Sequence, residues 1–438
     1  MTSLTITPGR PLRGTITVPG DKSLTHRAII LTALAEGTST ISDYCQGEDC
    51  LNTMRAFQSL GVPITHTPAE MTVCGKGFWG LTEPNSPIDC GNSGTGIRLL
   101  TGLLAGQDFF SVLTGDESIR RRPMGRVVKP LREMGAVIGG RKGGELAPLA
   151  ITGSGLHGID YTSPVASAQM KSSLLLAGLF AHGKTRYKEP SLSRDHTERM
   201  FQFFGIPLTK EEGALILQGR PSIGWRGVPI AIPGDFSAAA FFIVGATIVP
   251  GSDVTIRQVG MNPTRTGLMD VMRKMGADIQ VLDQREEAGE PVGDLRVRAA
   301  SLKGVTIGSE LIPKTIDEFP VLCVAAAVAD GETVISGAEE LRVKESDRIA
   351  TMSGELRAMG AIVEERPDGM VIRGLGKGGE NGCLTAAKSA QSHGDHRVAM
   401  SLAIGGLTAE QSMTIAGTGC VDTSFPNFEE ALAQLVIA

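Results

Sequence analysis

Six stretches of this chain are apolar on almost every side: AIILTALAEGTSTI (28–41), IRLLTGLLAGQDFFSV (97–112), QMKSSLLLAGLFAHGKTRY (169–187), SAAAFFIVGATIVPGSDVTI (237–256), FPVLCVAAAVADGETVI (319–335) and RVAMSLAIGGLTAEQSMTI (397–415). A helix that is apolar on most of its faces must be buried. Each of the six then runs through a Gly or polar turn into a β-branched strand. A second pattern interleaves with the first: AFQSLGVPI, PLREMGAVI, MFQFFGIPL, VMRKMGADI and ELRAMGAIV, with glycines at 61, 135, 205, 276 and 360. Glycine just past the last helical turn can adopt the left-handed conformation that closes a helix. The ending FEEALAQLVIA looks like a sixth copy cut short. The repeating unit is therefore an apolar helix, a strand, an amphipathic helix, a glycine and a strand. Copies of this length are far longer than solenoid repeats and are better read as six small α/β units that assemble. A chain of 438 residues exceeds one ordinary core, so three units in each of two domains are expected. The break falls near AIPGDFSAAA, and the N-terminal strand LTITP is expected to pair with the later half, so that the chain crosses twice. This gives one discontinuous domain of residues 1–19 and 236–438, a second of 20–235, and a substrate cleft between them.

The residues that open the six apolar helices are DKSLTHR (21–27), CGNSGTGIR (90–98), SPVASAQMKSS (163–173), PGDFS (233–237), PKTIDEFP (313–320) and SHGDHRVAM (392–400). All are rich in polar, charged or small residues. A helix N-terminus presents unpaired N–H groups and partial positive charge, which attract phosphate and carboxylate. If the buried helices of each domain run parallel, their N-termini gather on one face. Lys22 and Arg27 then add full charges where the dipole already favours an anion, and Ser23 can donate its hydroxyl or cap the helix.

The totals limit the alternatives. Net charge is −5, with no basic tail or Lys/Arg block, which argues against nucleic acid as a partner. Seven cysteines, an odd number with no CxxC, fit reduced thiols in a cytoplasm rather than a disulfide framework or zinc site. No apolar run is long enough to span a bilayer, and MTSLTITPGRPLRG lacks the apolar core of a signal peptide, so no membrane partner is expected.

The motifs PGDKSLTHRA, GNSGTGIR, RRPMGRVVKPLREMGA, SAQMKSSLLLA, LRVKESDRI, GDHRVAMS and TSFPNF, in order from about residue 10 to 430, resemble the 5-enolpyruvylshikimate-3-phosphate synthases. The resemblance implies an α/β fold of two domains in an inside-out α/β barrel, each built of three βαβαββ units. It also implies transfer of the enolpyruvyl group of phosphoenolpyruvate to the 5-hydroxyl of shikimate 3-phosphate, with no metal and no organic cofactor, by a monomer. By the same resemblance Lys22, Ser23, Arg27, Ser167, Ala168, Gln169, Arg194, Asp317 and Lys344 hold shikimate 3-phosphate. Lys22, Asn92, Gly94, Arg122, Gln169, Arg348 and Arg397 hold phosphoenolpyruvate, and Asp317, Glu345 and Lys22 carry the catalysis. Asp317 matches the carboxylate that takes the 5-hydroxyl proton, and Lys344 with Glu345 a further acid/base pair. Arg120 and Arg121, beside Arg122, are expected in solvent.

Adjacent residues on a helix diverge by about 100°, so only one of Asp317 and Glu318 should face the site, and Asp317 is favoured. Asp347 and Asp395 are expected to orient neighbouring arginine or histidine groups. HGDH (393–396) lacks a second ligand cluster and is not read as a metal site. GLGKGG (374–379) fits GxGxxG but is followed by no apolar helix, so a loop is expected.

Several positions depart from the family pattern. Ala168 stands where many members have a second serine, Arg194 where others have tyrosine, Ser424 where some have lysine, and Glu340 where others have asparagine. These resemble the second subclass, some of whose members tolerate glyphosate. The tolerant type can carry alanine at the position of Gly94, which crowds the inhibitor. This chain keeps glycine, so glyphosate is expected to compete with phosphoenolpyruvate. Two other readings are a transferase acting on UDP-N-acetylglucosamine and a non-catalytic phosphometabolite binder. The first uses a loop cysteine that DESIRRRPMGR lacks; the second leaves the combination of Lys22, Asp317, Glu345, Arg348 and Arg397 without a purpose.

Overall fold

All six apolar stretches form helices buried over almost their whole length. The computed structural model describes residues 2–220, 224–376, 384–385 and 389–436. The chain divides into a central unit, Gly20–Ile232 with Glu287–Glu290, and a terminal unit, Met1–Pro19, Pro233–Glu286 and Pro291–Ala438. The second boundary therefore falls at Ile232/Pro233, three residues before the expected position, and the short segment Glu287–Glu290 groups with the central unit.

In the central unit the buried helices are α1 (Lys22–Ala33), α3 (Gly94–Ala105) and α5 (Ala168–Phe180). They alternate with the amphipathic helices α2 (Glu48–Ser59), α4 (Gly125–Glu133) and α6 (His196–Phe203). In the terminal unit the buried helices are α7 (Phe236–Ile248), α10 (Phe319–Val328) and α12 (His396–Gly406). Their amphipathic companions are α8 (Gly267–Met275), α11 (Arg348–Ala358) and α13 (Phe428–Leu435), with one extra turn, α9 (Ile312–Thr315), ahead of α10. Five of the buried helices begin at a side-chain cap. Asp21, Ser93, Ser167, Asp235 and Asp395 accept from Leu24, Gly96, Met170, Ser237 and Arg397 N–H, respectively. The five glycines of the second pattern, Gly61, Gly135, Gly205, Gly276 and Gly360, all have positive φ, from 70° to 104°, as the helix-closing reading requires.

The sheets show one repeated order. In β6 (Ile88–Asp89), β7 (Phe110–Thr114), β8 (Val137–Arg141) and β9 (Leu146–Thr152) the order is β6-β7-β9-β8, with β6 and β7 parallel and the rest antiparallel. The strands β10 (Asp160–Thr162), β11 (Lys184–Lys188), β12 (Leu208–Glu211) and β13 (Ala214–Gln218) repeat it as β10-β11-β13-β12. In these two sheets the buried helix, α3 or α5, connects the two parallel strands. The first sheet has β3 (Glu36–Ser42), β4 (Ile64–His66) and β5 (Glu70–Lys76) but no strand of its own ahead of α1. Its parallel partner is β14 (Ile230–Ala231), from the far end of the central unit.

The terminal unit follows suit. Its first sheet is β2-β15-β17-β16, from β2 (Arg13–Thr17), β15 (Asp253–Gly260), β16 (Asp278–Glu287) and β17 (Glu290–Arg298). Its second is β18-β19-β21-β20, from β18 (Thr306–Ile307), β19 (Glu332–Ile335), β20 (Ile362–Arg366) and β21 (Gly369–Arg373). The third joins β22 (Ala390–Gln391) and β23 (Met413–Ala416) to β1 (Ser3–Ile6). The N-terminal strands thus pair with the later half, as LTITP suggested. Among the described residues none of the six sheets closes into a barrel. Each unit has one large apolar core around its three buried helices. In the terminal unit Phe241 and Phe242 of α7 meet Phe425 and Phe428 at ring separations of 5.9–6.1 Å, which docks the cut-short last copy. Among the described residues no helix is long and apolar enough to cross a membrane.

Candidate functional site

The first turns of α1, α3 and α5 are tied to one another by side chains, so their N-termini share one face of the central unit. Arg98 of α3 donates to Gln169 Oε1 of α5 at 2.8 Å, and Gln169 Nε2 returns a bond to Thr95 Oγ1 at 3.0 Å. Arg27 of α1 donates to Ser172 Oγ of α5 at 2.6 Å, to Thr197 Oγ1 of α6 at 2.7 Å, and to Ser23 O at 2.8 Å. Burial lowers its pKa to about 10, with Glu198 and Asp21 opposing and the like charge of Arg194 assisting. Arg27 therefore stays cationic at neutral pH. Lys22 opens α1 with Nζ 3.0 Å from Asp49 Oδ2, on the first turn of α2.

His26 lies between these cations with no solvent exposure. Its Nδ1 is 2.7 Å from Thr53 Oγ1 and its Nε2 3.4 Å from Ser93 Oγ, the cap of α3. Burial, with Lys22 and Arg27, holds its pKa down to about 3, so the ring is neutral. His26 braces the α1–α3 entrance and adds no charge.

Around the start of α3, Asn92 donates to Asp116 Oδ2 at 2.6 Å and offers its carbonyl to Arg122 Nη1 at 3.4 Å. Arg122 is buried, whereas Arg120 and Arg121 are exposed, Arg121 pairing with Glu117. Gly94 is the first residue of α3. A Cβ placed there would lie 2.8 Å from Arg122 Nη1 and 3.0 Å from Arg98 Nη1, so the missing side chain is what lets two guanidinium groups approach the helix end. Ser167 caps α5; Ala168, half-buried, offers no hydrogen bond; Arg194 is half-buried in the loop before α6.

The terminal unit gathers a different chemistry at the entrances of α10, α11 and α12. Asp317, whose side chain is 19% exposed, places Oδ1 3.6 Å from Arg348 Nη1 and Oδ2 3.5 Å from Arg397 Nη2. Glu318 points the other way: it is buried and accepts from Ser237 of α7. Arg348 is buried and bridges Asp395 at 2.9 Å and Glu345 at 2.7 Å. Burial works against its charge, but Asp395, Glu345 and Asp317 outweigh it and hold the guanidinium well above its usual range. Burial likewise disfavours the Asp395 carboxylate, yet Arg348 and His396 hold its pKa below the ordinary value. Lys344 sits 3.0 Å from Glu340; burial pulls its pKa down against Glu340, Asp317 and Glu345, and burial prevails. A lysine so biased gives up its proton more readily than one in water.

Asp347 caps α11 and pairs with Arg342 at 2.8 Å, so Asp347 and Asp395 each hold an arginine, as expected of them. His393 of HGDH pairs with Glu355 at 2.8 Å. Among the described residues no group of three or more His, Cys, Asp or Glu side chains is placed to hold a metal ion. Part of GLGKGG, residues 377–379, and Cys383 lie outside the described residues.

The structure thus brings Lys22, Ser23, Arg27, Asn92, Gly94, Arg122, Ser167, Ala168, Gln169 and Arg194 onto the central unit. Asp317, Lys344, Glu345, Arg348 and Arg397 lie on the terminal unit. Sequence reasoning missed four supports: Asp49, His26, Arg98 and Lys171. Arg98 and His26 stood inside quoted motifs, one turn into their helices, and that placement was the available signal. Lys171 stood likewise inside SAQMKSSLLLA, whereas Asp49, outside every quoted motif, gave none.

A family model described as EPSP synthase (3-phosphoshikimate 1-carboxyvinyltransferase) matches residues 6–432. The chain is 53% identical over 437 residues to a 3-phosphoshikimate 1-carboxyvinyltransferase of Geobacter sulfurreducens, covering 100% of both chains. It is 54% identical over 435 residues to that of Geobacter metallireducens, covering 99% of each. It is also similar to a solved EPSP synthase from Acinetobacter baumannii, at a TM-score of 0.89 and 45% identity, over 100% of this chain and 99% of that one.

Proposed function

The chain belongs to the EPSP synthase family, and we propose that it transfers the enolpyruvyl group of phosphoenolpyruvate to the 5-hydroxyl of shikimate 3-phosphate through the residues gathered at its helix entrances. The observation that carries this reading is Asp317, a partly exposed carboxylate set between the guanidinium groups of Arg348 and Arg397.

Shikimate 3-phosphate is assigned to Lys22, Ser23, Arg27, Ser167, Ala168, Gln169 and Arg194 of the central unit, with Asp317 and Lys344 reaching its hydroxyls. Phosphoenolpyruvate is assigned to Lys22, Asn92, Gly94, Arg122, Gln169, Arg348 and Arg397. Planar guanidinium forks suit its carboxylate and phosphate, and helix N-termini add N–H donors. Asp317 takes the proton of the 5-hydroxyl as that oxygen bonds to C2 of phosphoenolpyruvate, while an acid delivers a proton to C3. Glu345 and Lys22 are the candidate acids for C3. The resulting tetrahedral ketal loses phosphate by cleavage of the C2–O bond. C3 then gives back one proton, which restores the double bond. The surrounding cations stabilise the charge that moves onto the phosphate. The chemistry calls on neither metal nor organic cofactor. Residues of both units must act on one pair of ligands, so the domains 20–235 and 1–19 plus 236–438 are proposed to flank a shared cleft. A cytoplasmic monomer suits a reaction among small soluble anions.

The test is direct. Purified protein mixed with phosphoenolpyruvate and shikimate 3-phosphate should release phosphate, and a parallel run with UDP-N-acetylglucosamine should not. Release only with the nucleotide sugar, or ligand binding with no turnover, rejects the assignment.

A further inference from the structure

Lys171 is a fully buried lysine on the second turn of α5, between the capped entrance and the apolar body of the helix. Its ammonium is 3.0 Å from Glu189 Oε1, at the end of β11, and 2.7 Å from Glu198 Oε1, in the first turn of α6. It also donates to the carbonyl of Ser193 at 3.3 Å. Glu189 in turn accepts the Ser193 N–H at 3.0 Å and the Ser193 hydroxyl at 2.6 Å. One ammonium thus joins a helix, a strand end, a loop and a second helix. The next residue in that loop is Arg194, and one residue before Glu198 stands Thr197, which accepts from Arg27 Nε at 2.7 Å.

Packing does not replace this tie. The outer side of the loop, including Pro190, Ser191 and Leu192, lines an open cavity of about 860 Å³, and Leu192 is 50% exposed. The loop is held from the inside, by charge-assisted bonds to an ammonium with no solvent exposure. Without the ammonium, Glu189 and Glu198 would be two partly buried carboxylates with their shared cation gone. Relief requires moving the loop or α6, and either motion displaces Arg194 and Thr197.

We propose that Lys171 is a positioning residue for shikimate 3-phosphate recognition, locking the 189–198 segment so that Arg194 and the Thr197-braced Arg27 converge on the same anion. The inference rests on the assignment of that substrate to Arg27 and Arg194 above. It also gives Lys171 a role separable from phosphoenolpyruvate binding, whose assigned residues all lie outside the 189–198 segment.

Steady-state kinetics of K171M and K171R, with circular dichroism and thermal melting alongside, test it. K171M should raise KM for shikimate 3-phosphate by about tenfold or more while KM for phosphoenolpyruvate stays within about twofold. K171R, which keeps a cation, should recover part of the loss. If folded K171M only melts earlier, with both KM values unchanged, Lys171 serves stability alone and the proposal fails. Should K171M not fold, S193A removes the Ser193–Glu189 hydroxyl bond without stranding a buried charge. It should raise KM for shikimate 3-phosphate by about threefold, and an unchanged value overturns the proposal. Failure of the underlying assignment shows differently: the wild-type protein itself would not turn over shikimate 3-phosphate.

Discussion

The two clusters of helix entrances use opposite electrostatic strategies. On the central unit, Arg27, Arg98 and Gln169 are fixed mainly by hydroxyl, amide and carbonyl oxygens, and a histidine that could have added charge is kept neutral. That face is a lasting cationic surface, suited to gripping an anion, with Lys22 its one candidate proton donor. On the terminal unit, Lys344, Arg348 and Arg397 are interleaved with Asp317, Glu340, Glu345 and Asp395 at hydrogen-bond or ion-pair distance. There charge is nearly balanced, and a proton can move with little net change in field. In the proposed reaction the central half serves mainly binding, Lys22 being its one candidate acid, and the terminal half joins two binding arginines, Arg348 and Arg397, to the proton-transfer groups Asp317 and Glu345.

Four substitutions would break or sharpen that contrast. The largest effect belongs to Asp317→Ala. It should lower kcat on the order of 10³-fold and leave ligand dissociation constants, measured by titration calorimetry, nearly unchanged. Unchanged turnover would remove Asp317 from the role of base. On the binding face, Arg27→Ala should do the reverse, raising KM for shikimate 3-phosphate by about a hundredfold with a smaller loss in kcat. A pure kcat effect would mean that the two halves are not so divided.

Gly94→Ala is subtler. The methyl group would come within 2.8 Å of Arg122 Nη1, so the guanidinium must shift. KM for phosphoenolpyruvate should rise by about tenfold, and glyphosate should lose at least as much. The unmodified protein should show glyphosate competing with phosphoenolpyruvate, and no competition at millimolar inhibitor would refute that. The smallest effect concerns pH. The pKa of His26 is about 3 in the fold against 6.5 when unfolded, so between these values the unfolded chain binds one more proton. Its contribution is intact above pH 6.5 and shrinks as pH falls toward 3, at up to about 1.4 kcal/mol per pH unit. His26→Asn should flatten the acid limb of urea-unfolding midpoints between pH 5 and 6.5 by up to one proton. An identical slope would show that His26 is protonated in the fold.

How far the sequence could be read depended on the range of each interaction. The buried helices were legible because burial on all sides forces apolar residues at every position, as in FSAAAFFIVGATI of α7. The closing glycines were legible too, since each acts within one turn, whereas the cap of α1 is Asp21 and not Ser23, the residue the sequence offered. The completion of the first sheet was not. β14 is two residues long, and its partner lies on the other side of two whole α/β units. Helical geometry said only that one of Asp317 and Glu318 should face the site; the choice of Asp317 came from the family resemblance, and the two carboxylates do point apart. Lys171 was visible inside an apolar stretch, but its role was not, because only the arrival of Glu189 and Glu198 makes its burial possible. Residue roles followed from motifs, whereas the supports behind them came from tertiary contact.

The pairing of β1 with β23 and of β2 with β15 sets a timetable for the nascent chain. Both strands are made before the central unit, but β2 cannot pair until β15 exists and β1 not until β23 does, so they trail as a tether while the whole central unit forms. Removing them would bare the open flanks of β15 and β23, two edges ready to recruit a neighbouring molecule.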